Sequence, residues 1–236
     1  MATYVLVHGA FHGGWCWQKV APLLKVEGHR VDALDLPGHG DDKTPVAGMT
    51  LEANANRIRE RVEAAGEPVV LVGHSMGGMS VTQAAELVPD RIARLVYVAA
   101  FLPQNGQALP ELASGDVVQQ NLIVDEAAGT CVVAEHALRH AFYAECSDED
   151  FSFAIGRLVP ESLAAVGAPV QISEGRAGRV ARAYVECLRD QAIVIARQRA
   201  MRAASPCDPV LAIDTDHSPF LSRPRELADH LLTLAA

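Results

Sequence analysis

The feature that most limits the fold is a rhythm. Short runs of Val, Leu and Ile, bounded by glycine, proline or charged residues, alternate with longer segments that carry one apolar stripe. Strands covered on both faces read as continuous apolar runs, and amphipathic stretches between them read as helices. The pattern therefore specifies an α/β protein with a mostly parallel six-stranded sheet and helices on both sides. Strands are expected at Tyr4–His8, Arg30–Asp35, Pro68–Val72, Arg94–Ala99, Ala183–Cys187 and Val210–Asp214. Helices are expected at about Trp15–Val26, Leu51–Ala64, Met76–Leu87, Ala192–Ala203 and Pro224–Leu234. In the second of these, Leu51, Ala55, Ile58 and Val62 share a face, which leaves Arg57, Arg59, Glu60 and Arg61 to solvent.

From Phe101 to Gly178 the rhythm stops. "NLIVDEAAGTCVVAE" reads as a hairpin turning near Gly129, "AEHALRHAFYAE" as a helix, and "SDEDFSFAIGRLVPESLAAV" as one or two short helices. Roughly seventy residues are too many for a connecting loop. Residues 103–178 are expected to form a cap inserted into a core built from 1–102 and 179–236. No internal repeat, low-complexity tract or linker interrupts the chain.

A net charge of −9 without a basic block argues against binding nucleic acid through phosphate neutralisation and against docking on anionic lipid. No run approaches the ~20 apolar residues of a membrane span, and "MATYVLVHGA" has neither a basic segment nor a cleavage site, so a cytoplasmic location is expected. The five cysteines are scattered without CxxC spacing, which signals neither a disulfide framework nor a zinc site. No metal or other cofactor is expected, and the partner that fits is a neutral or weakly polar small molecule. A homodimer is compatible with this reading.

Where the third strand meets the next helix, Gly73, Ser75 and Gly77 spell G-x-S-x-G. A sharp strand-to-helix turn strains the central residue and aims its hydroxyl off the sheet edge, beside N–H groups that favour negative charge; the flanking glycines let strand and helix approach. The glycine spacing is not that of a phosphate-binding loop. Ser75 is thus the candidate nucleophile. It needs a base, and of nine histidines His217 is the candidate, because it follows the last strand at the same edge and comes after the serine. His74 is read as packing. Asp190, in the loop after the preceding strand, is the candidate partner of the imidazole; Asp214 and Asp216 are rivals, one inside the last strand and the other too near His217 along the chain. A helix-capping role is the simpler alternative for Asp190. The N–H groups of Met76 and Ala10 are the candidate oxyanion donors. Phe11, His12, Phe101 and Leu102 are candidate substrate-binding wall residues.

The segments "YVLVHGAFHGGWCW", "VVLVGHSMGGMS", "FYAECSDEDFSFA", "YVECLRDQAI" and "DTDHSPFLSRP" resemble the α/β-hydrolase superfamily, in the branch of plant methylesterases and hydroxynitrile lyases with their bacterial relatives. The resemblance implies the triad Ser75, Asp190 and His217 with Ala10 and Met76 as oxyanion donors. The lyases of this branch have a threonine after the first-strand histidine and a lysine after the catalytic histidine. Gly9 and Ser218 stand there instead, which removes the cation and favours ester hydrolysis. Arg189 and "PGHGDD" also depart from the plant pattern. The expectation is a serine carboxylesterase acting on a small-molecule ester without a cofactor. Two rivals remain: lyase or cyclase chemistry that uses the triad for proton transfer, and a non-enzymatic small-molecule receptor on the same fold.

Overall fold

The computed structural model describes residues 1–113 and 115–235. In chain order, β1 (Thr3–Val7) leads through a 3-10 turn at Gly14–Lys19 into α1 (Ala21–Val26), β2 (Arg30–Leu34), α2 (Leu51–Ala64), β3 (Val69–His74), α3 (Gly77–Leu87) and β4 (Ile92–Val98). There follow α4 (Leu109–Leu112), α5 (Val117–Gln120), β5 (Leu122–Asp125), β6 (Thr130–Val133), α6 (Glu135–Phe142), α7 (Asp148–Ile155), β7 (Glu161–Ser162) and α8 (Leu163–Gly167). The chain then closes through β8 (Arg182–Cys187), α9 (Ile195–Ala204), β9 (Val210–Ile213), α10 (Pro219–Ser222) and α11 (Pro224–Leu234).

Two expected helices start late, each for a local reason. Pro22 has no N–H to donate backward, so an α-helix begins only at Ala21, with the proline in its first turn. The N–H groups of Ala192 and Ile193 are held by Asp190 Oδ1, at 2.7 and 2.9 Å, which delays α9 to Ile195. Asp214 also falls just outside β9 rather than inside it.

The main sheet is wholly parallel, in the order β2-β1-β3-β4-β8-β9. Successive side chains on a strand face opposite ways, and two cores form accordingly. Tyr4 and Leu6 of β1 pack with α1 and α11 through Leu24, Leu227 and Leu231. Val5 and Val7 join Ile58, Met79 and Met201 on the other face. From β1 the chain steps to β2 on one side and later returns to β3 on the other. In a parallel sheet such a reversal leaves a crevice at the carboxyl ends of the two central strands, the preferred place for a ligand.

The stretch between β4 and β8 contains its own antiparallel sheet, in the order β5-β6-β7. It is tied to the main sheet's loops at several points, three of them in loops at the sheet's carboxyl edge. His39 Nε2 meets Glu161 Oε2 at 3.0 Å with both side chains buried. The N–H of Glu145 donates to Asp216 Oδ2 at 2.8 Å, and the Tyr143 hydroxyl bonds His12 Nε2 at 2.7 Å. Among the described residues no helix is long and apolar enough to cross a membrane.

Candidate active site

The crevice between β1 and β3 is made by glycines. A Cβ on Gly9 would sit 2.7 Å from Ser75 Cβ, one on Gly77 would be 2.5 Å from His8 O, and one on Gly78 would be 2.0 Å from Phe101 O. Only a bare Cα permits such approaches, so these positions draw β1, β3 and the start of α3 together. Ser75 sits at the bend with φ 53°, a left-handed conformation that costs a residue with a Cβ about 1–2 kcal/mol. The bend is braced on both sides, since Ser75 O accepts from Gly78 N at 3.0 Å and from Phe101 N at 3.1 Å. Phe11, in the loop after β1, also has a positive φ, of 67°.

His217 lies in the loop between β9 and α10 and is almost wholly buried. Its Nδ1 is 2.8 Å from Asp190 Oδ2. A carboxylate accepts, so Nδ1 carries the proton and Nε2 is left with its lone pair. Asp190 is the alternative role and the expected role together: Oδ1 takes the two N–H groups ahead of α9 while Oδ2 faces the imidazole. Gln198 of α9 holds this loop from below. Its Nε2 donates to Ile193 O at 2.7 Å, to Cys187 O at 3.1 Å and to Asp190 Oδ2 at 3.3 Å, and its Oε1 accepts from Cys187 N at 3.2 Å.

The rival acids do other work. Asp214 is exposed and pairs with Arg189 at 3.0 Å. Asp216 is buried and spends its oxygens on Glu145 N, Ser218 N and the Ser222 hydroxyl, at 2.8, 3.2 and 2.9 Å, fastening the histidine loop to the segment after α6. His74 does more than pack. Its Nε2 is 2.8 Å from His217 O, which can only accept, so this ring is the Nε2–H tautomer and holds the main chain of His217. Burial and the nearby His217 and His12 rings keep the His74 pKa well below the usual imidazole value.

His12 is likewise neutral. Its Nδ1 donates to Ala10 O at 2.7 Å and its Nε2 accepts from the Tyr143 hydroxyl. Burial lowers its pKa to about 4 against the raising effect of the Ala10 bond. The bond fixes the peptide after Ala10, in the loop that supplies the proposed second N–H. Among the described residues neither the Ala10 nor the Met76 N–H meets an acceptor.

Ser75, His217, Ala10, Met76, Phe11 and His12 border one cavity of about 170 Å³, with Phe101 also in its wall. The far side is built from the stretch between β4 and β8, including Leu109, Asp116, Val118, Cys131 and Phe142. Leu102 is the exception among the expected wall residues. It does not border the cavity; it is 2% exposed and packs in the core that also holds Met201, with its N–H toward Met201 Sδ at 3.5 Å. Gln198, Tyr143 and Asp116 escaped the sequence reading. For Gln198 a signal existed: it lies three residues before Met201, on the buried stripe of α9 where an amide is out of place.

A parallel sheet, a serine on a strained turn and an imidazole–carboxylate pair across one crevice define an α/β hydrolase. The sequence profile of the alpha/beta hydrolase family matches residues 4–230, and the chain belongs to that family. Within it, the chain stands in the plant methylesterase-like branch. Methylesterase 9 of Arabidopsis thaliana is 34% identical over 253 residues, spanning 100% of this chain and 98% of that protein. Polyneuridine aldehyde esterase superposes with a TM-score of 0.89 at 28% identity, over 100% of both chains. A pyrethroid hydrolase from Sphingobium faniae JZ-2 gives 0.87 at 28% identity, over 99% of this chain and 97% of that one. By this relationship the chain is a carboxylic ester hydrolase.

Proposed function

We propose that this enzyme cleaves a small carboxylic ester through an acyl-enzyme on Ser75, with residues 103–178 acting as the cap over the site. The observation that carries the reading is the pairing of His217 Nδ1 with the buried Asp190 carboxylate, which leaves Nε2 basic in the same cavity that Ser75 borders. As the Ser75 oxygen attacks the ester carbonyl, its proton passes to His217 Nε2. The C–O bond to the alcohol breaks, and His217 returns the proton to the departing oxygen. Water then attacks the acyl-enzyme, gives its proton to the same nitrogen, and the acid leaves as Ser75 regains its hydrogen. The Ala10 and Met76 N–H groups stabilise the oxyanion formed in both halves.

The cavity is small and almost wholly apolar, close in size to one that holds a benzene ring, which suits a methyl or aryl ester of a compact acid. The lyase alternative has little support, because no lysine or arginine is among the described residues lining the cavity. The test is hydrolysis of short-chain aryl and methyl esters by wild type and Ser75→Ala, together with intact-mass detection of a fluorophosphonate adduct. Wild type is expected to turn over and to gain one adduct, and Ser75→Ala to do neither. Equal turnover by the two proteins removes Ser75 from the mechanism.

A further inference from the structure

One ionisable side chain in the cavity wall has no place in the chemistry above. Asp116 is 6% exposed and stands at the start of α5, where its Oδ1 accepts from Gln119 N at 2.9 Å. Among the described residues no hydrogen bond reaches its Oδ2. Burial raises the Asp116 pKa, and the capping bond and the charges of Arg197 and His217 offset this only in part, with Asp190 acting in the same direction as burial. Capping a single turn does not require an acid, since serine or asparagine satisfies the same N–H at a smaller desolvation cost. What remains unexplained by the cap is an oxygen acceptor kept in a mostly apolar chamber.

We infer that Asp116 Oδ2 accepts a hydrogen bond from the substrate, so that the preferred esters carry an N–H or O–H donor in addition to the reacting ester group. The inference rests on the ester-hydrolase reading of this cavity and narrows it to amino- or hydroxyl-bearing esters. A mostly apolar chamber with an unpaired acceptor apart from the reacting groups discriminates strongly. A ligand that supplies the donor satisfies the carboxyl, whereas an isostere without it leaves the oxygen desolvated and unpaired.

The test uses methyl 3-phenylpropanoate, its ring-methylated derivatives as size controls, and its ring-hydroxylated and ring-aminomethylated derivatives at the same positions. Wild type, Asp116→Ser and Asp116→Asn are compared by kcat/KM, and Kd for the same esters is measured on proteins that also carry Ser75→Ala. The best hydroxylated or aminomethylated derivative is expected to exceed its methylated counterpart by about tenfold or more in both readouts. Asp116→Ser keeps a capping hydroxyl and is expected to bring that ratio to roughly one. Asp116→Asn keeps an acceptor oxygen without charge, and is expected to lose the preference for the amine while retaining part of that for the hydroxyl. Equal use of donor and methyl derivatives by wild type, or a donor preference unchanged in Asp116→Ser, overturns the inference and leaves Asp116 as a helix cap. If no ester is hydrolysed at all, the ester-hydrolase reading falls separately, and the Kd ratios still decide the role of Asp116.

Discussion

Asp190 bears two loads at once, and the division between its oxygens explains why the neighbouring acids cannot replace it. Oδ1 is committed to the main chain ahead of α9, which immobilises the carboxyl, and Oδ2 is thereby aimed at His217. Asp190→Asn keeps the shape but lets the amide face the ring with its N–H, favouring the wrong tautomer; kcat is expected to fall by roughly 10⁴ with KM little changed, as steady-state kinetics would show. Gln198 does not border the cavity and braces that loop through its amide. Gln198→Leu is expected to lower kcat by up to about a hundredfold, with KM held, because a small misplacement of the imidazole is enough. An unchanged kcat with a lowered melting temperature would assign Gln198 to stability alone. Ser75, His217 and Asp190 were legible because each follows a strand whose end the apolar runs announce. Asp116 was not, since an aspartate two residues after Ser114 and next to a glycine reads as an ordinary turn, and only the folded cavity reveals that it is buried. His74 was legible as buried but not as a support, because its partner is a main-chain oxygen 143 positions away.

At the scale of elements, the approach of α3 to β1 and β4 decides whether a site exists. Gly78 has an ordinary backbone conformation, yet a methyl there meets the Phe101 carbonyl oxygen. Gly78→Ala is expected to cost about 3 kcal/mol and to shift the urea midpoint accordingly, because neither backbone segment can yield cheaply. Gly66, past the end of α2, has a φ of 76° and open space around it. Gly66→Ala therefore pays only the strain of the left-handed region, about 1–2 kcal/mol, and the comparison separates collision from conformation. The four inner strands could be read from sequence because strands buried on two faces leave continuous apolar runs, while the edge strands β2 and β9 are partly exposed and follow from their place in the alternation. β7 could not. It is two polar residues long, and it forms because Glu161 and Ser162 are buried there, the first against His39 and the second with its hydroxyl 2.7 Å from Met49 O.

Across the whole molecule, the buried His39–Glu161 pair joins the loop after β2 to β7. The Pro37 carbonyl, 3.1 Å from His39 Nδ1, accepts a hydrogen bond from that nitrogen, and Glu161 faces the other. Burial alone would lower the His39 pKa; the Glu161 carboxylate, with smaller help from Pro37 O and Asp35, raises it above the usual imidazole value. A histidine whose folded pKa exceeds its unfolded value stabilises the fold fully below the unfolded value, about 6.5, and loses that contribution as pH rises through the folded one. Glu161→Gln removes the cause, so the stability gap between wild type and variant is expected to be widest below about pH 6.5 and to narrow at higher pH. Urea titrations across that range would show it, and a gap that widens with pH would mean the imidazole is not charged in the folded protein.

The chamber is assembled from two sources with different obligations. Ser75, Asp190 and His217 stand on loops of the main sheet, while Leu109, Asp116, Val118, Cys131 and Phe142 come from the long excursion after β4. On the proposed mechanism, the groups that break the bond and much of the wall that meets the rest of the substrate come from separate parts of the chain. On that proposal, substitutions in the excursion retune which molecule is welcomed while the reacting groups stay in place, so one scaffold can be turned to many diets.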